Sequence, residues 1–465
     1  MVGRVAAGRI NPEARLVVAY GQAQILRVDM SADSNSRRRL LRAHLGVRRA
    51  WRMAAIVTVA ILGGLVAAGF ARLCDLAMNL HGRLYAWGAW PTLALLPVGF
   101  AACAWLTRRF APEAAGSGIP QVIAAARERR GRWDGHRVTL ITAVWKTVLT
   151  AAMLVCGASI GREGPTVQVV AGVLRTLTRG LKGGPGRRAV IIAGGAAGVA
   201  AAFNTPIAGV VFALEELAMS FERRTHVTVI LVVVLAGVAS YAMQGDYAYF
   251  GVLGGNAPLG SAWLAAPIVG LACGLCGGLF SRALTAIIGP GHNPVVRWRR
   301  RRPVVFAFGC GLLAAAVALA SGGITFGAGY AQAKALLQDH PDQGLGLAAW
   351  KFLASLAASA SGAPGGIFAP SLTIGAGLGA AFARISPIFA GRDAVVLGMS
   401  GYLSGVVQAP LTSAVILMEM TRSPGLVGPL MLTALIARWA SSWIMPEPIY
   451  HVLARAWLSE PKSVH

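Results

Sequence analysis

The sequence predicts an all-α, polytopic membrane protein assembled from two inverted-topology repeats of tilted, partly re-entrant helices. Three observations carry that prediction. Apolar stretches are long and charge is confined to short clusters between them, glycine is abundant inside those stretches, and one glycine-proline break recurs at displacements of 205 and 204 positions.

The chain is 465 residues long, 55% hydrophobic and only 13% charged, with a mean hydropathy of +0.60. That is too apolar for a soluble chain of this length, which would split into domains with charged surfaces. A hydrocarbon core of about 30 Å needs roughly 20 apolar residues per spanning helix. Runs of that order are Met53 to Phe70, Pro91 to Leu106, Ala189 to Leu214, Val227 to Met243, Ala262 to Phe280, Val304 to Ala320 and Val395 to Met418. The 58 glycines permit close helix packing and broken backbone, which at membrane depth is tolerated only where it lines a cavity or is covered by protein.

Residues 1–50 read as a basic cytoplasmic tail without the apolar core of a signal peptide. Residues 51–457 form the membrane domain, with repeat one at about 51–222 and repeat two at about 227–445, and 458–465 form a short tail. The net charge of +25 could suggest nucleic acid. The basic residues, however, fall in interruptions such as Arg37-Arg38-Arg39, Arg127 to Arg137 and Arg297 to Arg302, the pattern of cytoplasmic loops under the positive-inside rule. No nucleic-acid partner is expected. The six cysteines lie mostly in apolar runs and read as packing residues, the Cys273-x-x-Cys276 pair included. No metal set, GxSxG nucleophile or phosphate loop is present, so the chain is read as a transporter or channel and not an enzyme, with no cofactor.

The duplication locates a site. Gly161-Arg-Glu-Gly-Pro165 and Gly366-Ile-Phe-Ala-Pro370 stand 205 positions apart, and Thr166, Val169, Gly172 and Arg179 match Ser371, Ile374, Gly377 and Arg384 at the same displacement. Asn204-Thr-Pro206 then pairs with Gln408-Ala-Pro410, and Glu215 with Glu419, at 204. Broken segments at matching places in two halves are expected of inverted-repeat transporters, with the site where the breaks meet. Each break leaves a helix N-terminus whose unpaired N–H groups attract anions. Pro165 and Pro370 read as helix starts, since proline suits the first helical turn.

Gly116-Ser-Gly-Ile-Pro120 is a third glycine-rich segment ahead of a helix-forming run, Gln121 to Arg129. Alone it is a capped turn. Beside the two breaks, the hydroxyl of Ser117 becomes a neutral donor that helps dehydrate an anion without trapping it.

In this order, GSGIP, GREGP and GGIFAP resemble the signature motifs of the CLC family of chloride channels and chloride/proton exchangers. Ala201-Ala-Phe-Asn204, Glu215-Glu216 and Pro448-Ile-Tyr450 extend the likeness across about residues 50 to 455. The resemblance implies the CLC-type fold and a homodimer in the cell membrane, with both termini cytoplasmic and one anion pathway per subunit. It implies that Ser117 and Tyr450 offer hydroxyls to chloride, that Ile367 and Phe368 offer backbone N–H groups, and that Glu163 is the gate, competing with the anion when charged and leaving when protonated. Gly116, Gly118, Pro120, Gly161, Arg162, Gly164, Pro165, Gly366 and Pro370 support the motifs.

A carboxylate in a membrane is costly and a nearby anion disfavours its charged form, so protonation and anion binding are linked. Taken alone, Glu163 could instead pair with Arg162. Arg162 itself reads as structural, or as concentrating anions without ligating them. The resemblance further implies that Glu216 relays protons, which makes the chain an exchanger; the alternative is a passive CLC-type channel. Glu215, repeated as Glu419, reads as a capping residue. Similar exchangers carry acidic residues where this chain has Gln121 and Ile123, so Glu216 lacks that partner. Lys146 reads either as a snorkelling lysine or as a neighbour of Glu216. The chain stops shortly after Tyr450, as in bacterial-type members without appended nucleotide-binding modules.

Overall fold

The computed structural model describes residues 50–88, 90–128, 137–181, 186–217, 223–245, 249–251, 259–291, 293–338, 344–385 and 391–459. The tail expected at 1–50, apart from Ala50, lies outside the described residues, as do most of the 127–137 cluster and 460–465. Of the described residues, 50–56 belong to one compact unit and Val57 onward to a second, which holds the site discussed below.

Among the described residues the chain is helical, with a single isolated β-bridge. Helix α1 runs Ala50–Ala86 and α2 Trp90–Phe110, with α3 Ile119–Arg127, α4 Leu140–Val155, α5 Glu163–Leu177, α6 Arg187–Phe203 and α7 Pro206–Phe212 following; a π turn, Ala213–Leu217, leads to α8 Arg223–Gln244. After it come α9 Leu259–Ile288, α10 Pro294–Arg301, α11 Pro303–Ala320, α12 Tyr330–Leu337, α13 Gly344–Ala360, α14 Phe368–Ile385, α15 Gly391–Val407, α16 Pro410–Thr421, α17 Val427–Ile444 and α18 Ile449–Ser459. Six of the described helices are long and apolar enough to cross a membrane. Their lipid-type faces are apolar, as Val227, Leu264 and Val98 are all more than half exposed.

Two expected spans are corrected. Ala189 to Leu214 is divided into α6 and α7, and Val395 to Met418 into α15 and α16. The breaks fall at Asn204 and Gln408, which sit in left-handed backbone at φ 59° and 61°. Each is followed two residues later by proline, which restarts a helix instead of continuing one. The helix starts expected at Pro165 and Pro370 are also corrected by two residues. Helix α5 begins at Glu163 and α14 at Phe368, leaving each proline third in its first turn, where its missing N–H costs no helical bond.

The duplication extends to side-chain bonding. Glu419 on α16 accepts from Ile207 N (3.2 Å) and Ala208 N (2.7 Å) at the start of α7, while Glu215 accepts from Leu411 N (3.1 Å) and Thr412 N (2.7 Å) at the start of α16. Each carboxylate therefore caps the helix of the other half, which fulfils the capping role expected of Glu215. Close backbone packing welds the elements: a Cβ on Gly375 of α14 would lie 2.4 Å from Gly398 O of α15, and one on Gly398 would lie 2.3 Å from Gly375 O.

A less visible repeat concerns two turns. Gly327-Ala-Gly-Tyr330 opens α12 as Gly116-Ser-Gly-Ile119 opens α3, with positive φ at both glycines of each turn, 62° and 100° in the first, 62° and 92° in the second. Behind each turn stands a fully buried lysine. Lys146 Nζ donates to Ala114 O (2.9 Å) and Gly116 O (2.5 Å), and Lys351 Nζ to Thr325 O (2.8 Å) and Gly327 O (2.7 Å). Lys146 thus neither snorkels nor serves Glu216: its ammonium is committed to the carbonyls of the turn.

Two stability outcomes follow. Glu419→Ala and Glu215→Ala should each lower stability by roughly 1 kcal/mol, the worth of a helix cap, seen as matched falls of a few degrees in the melting temperature of detergent-solubilised protein. Lys351→Met should cost more, about 1–3 kcal/mol for each carbonyl left unpaired. An unchanged melting temperature for Lys351→Met would refute this account of the turns.

Candidate functional site

The two glycine-proline breaks do meet. Gly161 N donates to Gly366 O at 2.7 Å and Gly366 N to Gly161 O at 2.8 Å, a reciprocal antiparallel bridge between residues at matching places in the two halves. Gly365 N donates to Gly116 O at 3.1 Å, which ties in the GSGIP turn. The spacing leaves no room for side chains: a Cβ on Gly164 would lie 2.3 Å from Ser117 Oγ, and one on Gly366 would lie 3.0 Å from Gly161 O. Helices α3, α5 and α14 consequently begin within a few residues of one another. The first N–H groups of each have no partner within their own helix.

Tyr450, second residue of α18, completes the group. Its ring stacks on Phe368 with centroids 6.0 Å apart and 11° between planes, and Phe368 also touches Phe203 and Phe212 at 5.9 and 6.2 Å. Tyr450, Phe368, Ile367 and Glu163 are all at most 3% exposed. The Tyr450 hydroxyl is a hydrogen-bonding neighbour of Ser117 and an electrostatic neighbour of Glu163 and Glu216. Beyond that pair of hydroxyls, the buried Ser117 Oγ and Tyr450 Oη have no hydrogen-bond partner in the protein, and Glu163 Oε2 has none. Ser117 is spared capping because Gly118, at φ 100°, serves as the N-cap of α3, without a side-chain capping bond. Buried polar groups are ordinarily paired. Two hydroxyl donors, with the backbone donors at the start of α14 beside them, form a lining complementary to an anion; among the described residues no group of His, Cys, Asp and Glu could hold a metal ion.

Glu163 does not pair with Arg162. Its Oε1 accepts from Tyr330 Oη at 2.6 Å. Arg162 points the other way, donating to Ala71 O (2.5 Å) and Asp75 Oδ1 (2.7 Å) and bonding to the Tyr249 hydroxyl. The Tyr249 and Tyr330 rings lie 4.5 Å apart. Both line a cavity of about 440 Å³ with Asp75, His81 and Phe326. The arginine is thus fixed beside the site by its own partners.

Glu216 is buried in the π turn, 3% exposed at its side chain, with Oε1 3.5 Å from His451 Nε2. The same ring nitrogen lies 3.4 Å from Glu216 O. Gln121 turns away, donating to Ala115 O at 2.6 Å and Glu113 O at 3.2 Å.

Sequence reasoning missed Tyr330, Tyr249, Asp75 and His451. A signal for Tyr330 was available, since GAGY at 327–330 repeats GSGI at 116–119 and the Trp-Lys pairs at 145–146 and 350–351 recur 205 positions apart. Nothing in the sequence marks Asp75.

Comparison with known proteins agrees with this architecture. The sequence matches the voltage gated chloride channel family over residues 98–442. It is 32% identical over 435 residues to the H(+)/Cl(-) exchange transporter ClcA of Citrobacter koseri, covering 87% of this chain and 89% of that one. Among solved structures, it is similar to a slow cyanobacterial Cl-/H+ antiporter, with a TM-score of 0.76 and 26% identity over 88% of this chain and 98% of the other. Two more distant structures share the fold: a eukaryotic CLC transporter (TM-score 0.69, 21% identity, 87% of this chain and 74% of that chain) and a CLC-type fluoride/proton antiporter (0.70, 21%, 86% and 96%). With its paired helix breaks, apolar spans and this likeness over most of its length, the chain is a multi-pass membrane protein that belongs to the voltage gated chloride channel family.

Proposed function

We propose that the protein exchanges chloride for protons across a membrane, through a pathway built around Ser117, Tyr450 and the start of α14 and gated by Glu163. The observation that carries the reading is that the Tyr450 hydroxyl, paired with that of Ser117, lies within electrostatic reach of two buried carboxylates, Glu163 and Glu216. An anion held there has a proton-carrying group on either hand.

The chemistry follows from the donors. Hydroxyls of Ser117 and Tyr450 and N–H groups of Ile367 and Phe368 replace part of the hydration of chloride without a full positive charge, so the ion binds and still leaves. An ionised Glu163 competes with the anion for the same donors. Once protonated it loses that claim, and its remaining tie is the hydrogen bond from Tyr330. One proton thus exchanges for the right of chloride to enter. A buried Glu216 in contact with a titratable histidine favours exchange over the second reading, a passive channel, which has no use for that carboxylate. The names of the relatives, an exchange transporter and an antiporter, support the same choice.

We further infer that the protein works as a homodimer in the cell membrane with cytoplasmic termini and uses no cofactor beyond its transported ions. The division between halves is best drawn after α8, because α8 and α17 begin 204 positions apart and pack on α6 and α15 respectively.

In liposomes, a chloride gradient should drive protons uphill, read by an internal pH dye and a chloride electrode. Glu216→Gln should abolish the proton signal while chloride still moves; chloride movement without any proton signal in the unaltered protein would establish the channel reading instead. Tyr330→Phe deletes a hydrogen bond to a carboxylate, about 1.5–3 kcal/mol when the acceptor is charged, and should speed chloride turnover roughly ten- to a hundredfold. Unaltered turnover would exclude Tyr330 as a latch on the gate.

A further inference from the structure

We infer that His451 is the residue through which protons reach Glu216, in place of the acidic partner that Gln121 and Ile123 do not supply; this rests on the exchange reading above. Glu216 is sealed from water, with its side chain 3% exposed, whereas the side chain of His451 is 17% exposed and so spans the interval between solvent and the carboxylate. The Nε2 to Oε1 separation of 3.5 Å is within reach of one short rotation, or of one bridging water, of the 2.6–3.2 Å over which protons pass.

Position strengthens the inference. His451 follows Tyr450 directly on α18, so one turn of helix presents both the hydroxyl aimed at the anion seat and the imidazole aimed at the carboxylate. The Glu216 Oε1 atom has no hydrogen-bond partner, leaving it open to receive a proton. The charged groups facing this pair are Arg127 of α3, Glu215 of the π turn, Arg438 of α17, and Glu447 and Arg455, which pair with each other at 2.7 Å. None of these arginines can release its proton at ordinary pH. Glu215 is occupied in capping α16, and Glu447 is held in its ion pair with Arg455. That leaves the imidazole as the one side chain in the group suited to the task.

The step balances simply. Imidazolium gives its Nε2 proton to Glu216 Oε1: the N–H bond breaks, an O–H bond forms, and the neutral ring keeps its hydrogen on Nδ1. Bulk water then returns a proton to Nε2, and the reverse sequence discharges Glu216.

The liposome assay, read as protons moved per chloride, tests the inference. His451→Gln keeps a side chain able to bond the Glu216 carbonyl but unable to shuttle protons, and the ratio should fall at least about fivefold. His451→Glu, which restores an ionisable group, should recover most of the ratio, and added imidazole should partly recover it in His451→Ala. Chloride flux reports folding in every variant; should His451→Gln lose it, His451→Ala with and without imidazole decides. If the unaltered protein pumps protons and Glu216→Gln does not, yet His451→Gln keeps its ratio, then His451 is excluded and the exchange reading stands. If the unaltered protein moves no protons against their gradient, the exchange reading fails and this inference fails with it.

Discussion

The whole arrangement depends on how a chain breaks its helices inside an apolar core and still satisfies the exposed backbone. An unpaired N–H or C=O away from water costs roughly the desolvation of the group. Here the two halves solve the problem for each other. Gly161 and Gly366 exchange both hydrogen bonds, Gly365 reaches Gly116, and two buried lysines hold the carbonyls of the turns behind. Only after these pairings are made do the first N–H groups of α3, α5 and α14 remain, all beginning around one small volume. What is left over once these groups have been paired is a set of free helix N-termini, the kind of surface that attracts anions.

The treatment of positive charge follows from the same constraint. A guanidinium beside a dehydrated anion would hold it too firmly for turnover. The Arg162 guanidinium is instead engaged by Asp75, Ala71 O and Tyr249. Lys146 and Lys351 are likewise consumed by carbonyls. The two lysines support their turns, and the crossing itself is lined by hydroxyls and amides, whose partial charges would suit an ion that has to leave again.

Much of this could be read in the sequence, for reasons that can be stated residue by residue. Glycine and proline act on the backbone where they stand, so GREGP, GGIFAP and GSGIP disclose a break locally, and their repetition at one displacement discloses the second half. The breaks at Asn204 and Gln408 were harder, because neither residue interrupts an apolar run and the proline two residues later reads equally well as an interior kink. Glu215 was legible as a cap through its repeat at Glu419. The turn that carries Tyr330 was legible through its repeat, but the partners of Tyr330 and His451 were not, since each acts on a carboxylate far away in the chain, Tyr330 on Glu163 167 positions off and His451 on Glu216 235 positions off. Tertiary contact of that range has no local signature in a single sequence.

The symmetry of the scaffold finally shows where the chemistry must come from. At displacements of 204, 205 and 211 the two halves share their helix breaks, caps, turns and lysines, and differ at several positions around the crossing. Ser117 has Ala328 as its counterpart, Ile119 has Tyr330, Arg162 has Ile367, Glu163 has Phe368 and Glu216 has Met420. A strictly symmetric core would present the same groups to both sides of the membrane and would give a bound ion no distinction between them. By placing a carboxylate opposite an aromatic ring, and a serine opposite an alanine, the sequence keeps the matched backbone that closes the breaks while making the two approaches chemically unlike. Glu163 then meets Tyr330 at the crossing and Glu216 meets His451 elsewhere in the fold, so that two buried carboxylates with unlike partners stand at separate places in a scaffold whose helix breaks are matched in both halves.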